Sequence, residues 1–206
     1  MSSSTATHKR STTTSTSTST LPAARPPCTI HPTALVADKA QLTGTFPVEI
    51  AAHAVLHPYA RIRAEAGKVT IGPYCVVAEG AVVGVGLPAS DSGSEGADVT
   101  LESHVSVESG AEVLAERVGE ASEVGLQARV GRGARVGRFC RVTAGEVVRE
   151  GEGLGDFTVV FGGGCRRVDK TLVEQGEVRG ARVKGQERHV EALGRLVPDG
   201  KAKWLG

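Results

Sequence analysis

Aliphatic residues recur at every sixth position along most of the chain. Val118, Val124, Val130, Val136, Val142, Val148, Leu154 and Val160 keep that spacing without a break. The same phase shows in Ile30, Val36 and Leu42, in Ile50, Leu56 and Ile62, in Ile71, Val77 and Val83, and in Leu101, Val107 and Val113. Six residues turn a helix by ~600°, so successive aliphatics would leave any shared face. A coiled-coil heptad is excluded too. Four residues after the aliphatic stands a small side chain, as at Ala34, Ala54, Cys75, Ala111, Ser122, Ala128 and Cys140. It precedes the next aliphatic by two, so both point to one side of an extended strand. Glycine often follows the aliphatic (Gly72, Gly125, Gly131, Gly137, Gly155), where a corner is needed. The pattern predicts short strands that each turn a corner, the hexapeptide signature of a parallel β-helix. Three hexads make a triangular coil of ~18 residues, so residues 28–168 predict an all-β solenoid of about seven coils. At ~4.8 Å per coil the prism is ~30–35 Å long. The [LIV]-G-x-x-[small]-x form resembles the left-handed β-helix family, and the left hand is what that resemblance implies.

Three segments depart from the hexads. Residues 1–27 are Ser/Thr-rich with Pro punctuation and almost nothing apolar to bury, which predicts a disordered tail. The tail has no acid and carries Lys9, Arg10 and Arg25, a composition similar to a mitochondrial transit peptide. Its few basic residues and missing amphipathic stripe favour a plain tail. Residues 84–98, GVGLPASDSGSEGAD, read as a loop projecting from a corner. Residues 183–197 place Val190, Leu193 and Val197 at i, i+3 and i+7, with Leu196 widening the face, and Pro198 then stops the segment. The spacing predicts a C-terminal amphipathic helix within 169–206, packed along the prism or capping its end. Gly180, Gly185 and Gly194 dilute it.

Composition agrees with a narrow core. The chain has 206 residues, one Trp, two Tyr and four Phe, while apolar residues are still 40%. Val, Ala, Leu and Ile must therefore build the interior. A net charge of +1 argues against a general nucleic-acid or polybasic membrane-surface binder. No apolar run approaches the ~18 residues of a membrane span. The four cysteines (Cys28, Cys75, Cys140, Cys165) form no C-x-x-C pair, which predicts free thiols in a reducing, intracellular compartment. Cys75 and Cys140 occupy inward positions and read as inert core thiols.

Candidate chemistry is sparse. His8 lies in the tail and His189 in the terminal helix. His31 and His57 precede prolines at corners. His53 and His104 fall at outward positions. All six read as solvated or corner-packing histidines. The site expectation is therefore no catalytic, no cofactor-binding and no metal-binding residue, and no cofactor. Gly162, Gly163 and Gly164 lie where the repeat ends and predict a tight exit turn. Arg129, Arg132, Arg135, Arg138 and Arg141 recur every three residues, followed by Glu146, Glu150, Glu152 and Asp156. They predict a basic collar beside an acidic one: a solvated edge, or a docking surface for an acidic partner.

Arg63-x-Glu65 resembles the Arg-x-Asp pair of γ-class carbonic anhydrases. That family's zinc histidines would fall near Val83–Gly84, Ser109 and Leu114, none of which is His, so a structural ion pair is expected instead. The stretch HAVLHPYARIRAEAGKVTIGPYCVVAEGAVV (53–83), the loop, the long hexad run, then TVVFGGGCRRVDK (158–170) and a terminal helix resemble the dynactin subunit 6 family over about residues 30–200. The Ser/Thr tail and the glycine-diluted helix depart from that family. The resemblance implies a non-enzymatic subunit of the dynactin pointed-end complex, serving dynein-driven microtubule transport and cargo adaptation. The partners it implies are dynactin subunit 5, dynactin subunit 4, the pointed-end actin-related protein, and dynein through the complex. Nucleic acid and membrane insertion are not expected, and the location implied is cytoplasmic and cytoskeleton-associated. The alternatives are an inactive γ-carbonic anhydrase-like protein and a hexapeptide acyltransferase.

Overall fold

The computed structural model describes residues 25–86 and 97–204. Short strands from Cys28–Ile30 to Thr158–Phe161 wind into three sheets of seven, seven and six parallel strands, each strand pairing with the one three places on, and Cys165–Val168 adds an antiparallel eighth strand to the second sheet. The fold is a left-handed parallel β-helix. Six coils are complete and a seventh has two sides, close to the seven expected. The tail up to residue 24 and most of the 84–98 loop lie outside the described residues.

The hexad sets the register. Val118 pairs with Val136 and Val136 with Leu154, so every aliphatic stacks on one a coil away. Leu42, Ile62 and Val83 form such a column, as do Val124, Val142 and Val160. Nearly all are fully buried, and aromatic residues are not needed to fill the axis. The small inward residues satisfy their own polar atoms on the next coil. Ser122 Oγ donates to Gly137 O at 2.7 Å and accepts from Cys140 N at 2.9 Å. The glycine after the aliphatic has a steric reason. A Cβ on Gly119 would lie 2.6 Å from the Gly137 carbonyl carbon, and one on Gly137 would lie 2.6 Å from Asp156 N.

The exit from the prism is a hairpin. Thr158–Phe161 pairs antiparallel with Cys165–Val168 across Gly162, Gly163 and Gly164, whose φ values of 58°, 79° and 97° suit glycine. The Gly163 and Gly164 N–H groups donate to the Glu146 carboxylate at 2.7 and 2.8 Å. Helix α1 (Lys170–Glu174) follows, capped by Asp169, whose carboxylate accepts from Thr171 N and Leu172 N. Helix α2 (Gly176–Leu196) then runs back along the eight-stranded sheet, where the spacing predicts only 183–197. Glycines cost a helix about 1 kcal/mol each, but contacts with the prism hold this one through Gly180 and Gly185. Val190 and Leu193 pack on Val55 and Val76. Leu196 does not join that face; it is 76% exposed. No helix among the described residues is long and apolar enough to cross a membrane.

The chain finally closes over the first coil. Gly200 N donates to Val36 O at 2.7 Å, Lys201 Nζ donates to Pro32 O and Ala34 O, and Trp204 packs against the core.

Candidate active site

The arginine stripe is neutralised by the coils beside it. Arg129 meets Glu112 at 2.7 Å, Arg135 meets Glu116 at 2.9 Å, Arg141 meets Glu123 at 2.7 Å and Arg138 meets Asp156 at 2.9 Å. Arg117 bonds Glu102 in the same way. Parallel pairing places Glu112 beside Arg129 and Glu123 beside Arg141. Exposed pairs of this kind add little stability each. They do correct the expectation of a basic collar set beside a separate acidic one. Glu65, expected to pair with Arg63, accepts from Thr43 Oγ1 at 3.1 Å.

The histidines are where sequence reasoning missed most. One corner of the prism carries His53, Tyr74, His104, Ala121, Phe139 and Phe157, all with φ between 52° and 62°. From Tyr74 onward the N–H of each donates to the carbonyl just before the corner residue one coil earlier, which puts the side chains in one column. His53 stacks on Tyr74 at 4.9 Å and Tyr74 on His104 at 5.1 Å, nearly parallel. Ring stacking offsets the cost of left-handed backbone at these residues. His104 is therefore covered, its side chain 11% exposed, with Nε2 3.4 Å from Glu187 Oε1 of α2.

Helix α2 divides the outer surface into a groove and a cleft that share Ser106. The groove, about 590 Å³, lies on the corner side and is lined by His104, Ala121, Phe139, Glu123, Arg141 and Arg182 among others. Glu123 Oε2 sits 2.7 Å from Arg141 and 3.5 Å from Arg182, one carboxylate between two guanidiniums. Burial lowers the proton affinity of Arg182, and Glu123 opposes that. The cleft, about 220 Å³, is lined by His57, Ser106, Glu108, Ser109, His189 and Leu193. Here α2 brings His189 to His57, far apart in the chain. His57 is half-buried, and its pKa lies below the usual histidine value. Burial is the main cause, His189 adds to it, and Glu79 opposes. The imidazole is neutral near pH 7 and able to take a proton. His31 stays outside, exposed and bonded to Thr33 Oγ1.

The thiols do not contribute. Burial pushes Cys75 up to about 12 and raises Cys140, so both stay protonated. No group of three or more His, Cys, Asp or Glu among the described residues is arranged to hold a metal ion.

The sequence matches no protein-family model and no curated protein. Solved structures share the fold. A hexapeptide transferase family protein from Anaplasma phagocytophilum is 17% identical, with a TM-score of 0.63, covering 82% of this chain and 91% of that one. A Bacillus cereus protein assigned as an acetyltransferase is 18% identical, with a TM-score of 0.65 and the same coverage. The structural neighbours are thus hexapeptide-repeat transferase-family β-helix proteins, and identities this low show the fold alone. They overturn the expectation of a non-enzymatic dynactin subunit. Nothing in them points to dynactin, dynein or transport.

Proposed function

We propose that the chain is a hexapeptide-type acyltransferase that moves an acyl group from a thioester to a hydroxyl or amine in the cleft beside α2. The observation that carries this is His57, a neutral, half-buried imidazole that lines a cleft together with Ser106 and Ser109. The named fold neighbours support the same chemistry. An acyl thioester supplies the activated carbonyl. His57 takes the proton from the acceptor as its oxygen or nitrogen attacks that carbonyl. The new C–O or C–N bond forms and the C–S bond breaks. His57 then returns the proton to the departing sulfur, so the thiol leaves neutral and the base is restored. Ser106 and Ser109 offer hydroxyls to orient the acceptor. The adjoining groove suits an anionic donor, since three arginines (Arg141, Arg167, Arg182) face two carboxylates (Glu123, Asp169) there.

The test is release of free thiol from acetyl-CoA, followed against a panel of amines and alcohols. Acceptor-dependent release is expected, and His57→Gln lowers kcat/KM by roughly 10²–10⁴-fold, the range of general-base catalysis. The rate of the unaltered protein rises with pH through a midpoint below the usual histidine value. Thiol release that no acceptor stimulates, or a His57→Gln protein as active as the parent, refutes the reading.

A further inference from the structure

Helix α2 is pinned to the prism toward one end and only tethered over the rest, and we infer that residues 176–187 are a strap that unwinds from the prism to open the groove beneath it. The buried residues of α2 are Val190 and Leu193, both toward its C-terminal end. On the other side of the strap, α1 is pinned by buried Leu172, and extended Gln175 separates the two helices. Between these anchors the helix meets the prism through long polar contacts. Arg182 lies 3.5 Å from Glu123, Gln186 Nε2 donates to Tyr74 O at 3.3 Å, and Glu187 Oε1 lies 3.4 Å from His104 Nε2. Arg179 sits 5.8 Å from the centre of the Phe157 ring. The arginines on the prism itself meet their carboxylates at 2.7 to 2.9 Å, as Arg129 and Arg135 do.

Three glycines interrupt the strap, and packing does not ask for them. A Cβ on Gly180 or Gly185 would meet nothing within 4 Å among the described residues beyond the helix's own backbone, and one on Gly176 would meet only the Arg179 guanidinium. Glycine favours the unwound chain, which gives back the most conformational freedom. The surface under the strap favours opening too. The His104 side chain is 11% exposed, and both its ring nitrogens are buried with no hydrogen bond among the described residues. A buried polar group left unpaired is costly, and water satisfies it once the strap lifts. Val178, Arg182 and Gln186 of the strap line the groove together with His104 and Ala121, so unwinding removes one wall and uncovers both. The inference stands apart from the acyl-transfer reading, because opening is measured without turnover.

Hydrogen–deuterium exchange of the full chain, read by mass spectrometry, tests it. Protection factors over 180–187 are expected at least about tenfold below those over 190–196, since the strap opens without the pinned end. Gly180→Ala combined with Gly185→Ala favours the wound strap by about fivefold per site, so exchange over 180–187 slows by roughly 25-fold. Exchange over 190–196 and in the prism strands stays as in the parent. Carbethoxylation of His104 by diethyl pyrocarbonate supplies a second readout. The ring is reached only with the strap open, so the double variant slows its modification by the same factor. Equal protection along the whole of α2 overturns the inference. So does a double variant whose 180–187 exchanges like the parent, or whose His104 reacts as fast.

Discussion

Ile62→Ala measures how rigidly the coils hold one another. Ile62 is fully buried in the column between Leu42 and Val83. Truncation removes three carbon groups, a transfer loss of ~2.4 kcal/mol at ~0.8 kcal/mol each. The void is roughly 75 Å³, and at about 24 cal/mol per Å³ it adds ~1.8 kcal/mol if nothing moves in. Neighbouring strands are locked by parallel pairing above and below, so collapse into the void would stretch both ladders. The expected loss is therefore about 4 kcal/mol, near the top of the range for such substitutions. Ile62→Val loses one group and costs about 1 kcal/mol. The assay is guanidinium unfolding, followed by far-UV circular dichroism and by the fluorescence of Trp204, the sole tryptophan, which sits at the first-coil end. The two probes should give one midpoint with an unchanged slope. A loss below about 2 kcal/mol at unchanged slope would refute the argument, because the columns would then relax into the gap.

Two further outcomes follow from titrating groups. With a thiol reagent near neutral pH, Cys165 reacts at once, partly buried Cys28 more slowly, and Cys75 and Cys140 only on unfolding. Prompt reaction of three or four thiols would contradict that order. His57 makes folding pH-dependent: its folded pKa is depressed, so the unfolded chain binds the proton more tightly. Its contribution is complete above the usual histidine value of ~6.5 and is lost as pH falls through that value toward the folded one. His57→Gln should flatten the slope that sets in as pH falls below about 6.5 in denaturation curves, and an unchanged slope would show that another group carries it.

The solenoid was legible because a six-residue period has one simple solution in extended chain, and because close coil contact demands small side chains and glycine at fixed places. The arginine pairing was legible in principle as well. Glu123 and Arg141 stand one coil apart, as Glu112 and Arg129 do, and the three-residue rhythm of the arginines drew attention away from that interval. The upper part of the ring column was hidden by insertions that make its coils unequal in length. Its lower part was not: Ala121, Phe139 and Phe157 follow the regular coil interval. The His57–His189 encounter could not be read from spacing. It depends on the return path of α2, and the few apolar residues of that helix fix its face only near Val190 and Leu193.

Repeat proteins commonly gain or lose units over evolution, since each unit touches only its neighbours. This one carries a ruler. Helix α2, 21 residues and about 32 Å long, is tied at one end by Arg179 over Phe157 and at the other by Leu193 on Val55 and Val76. Duplicating or deleting one coil would move one anchor past the other by ~4.8 Å, about three residues of helix. Three residues are not a whole turn, so the tethering side chains would rotate off their partners. The number of coils is thus inherited together with the helix, and any lineage that changes one must rebuild the other.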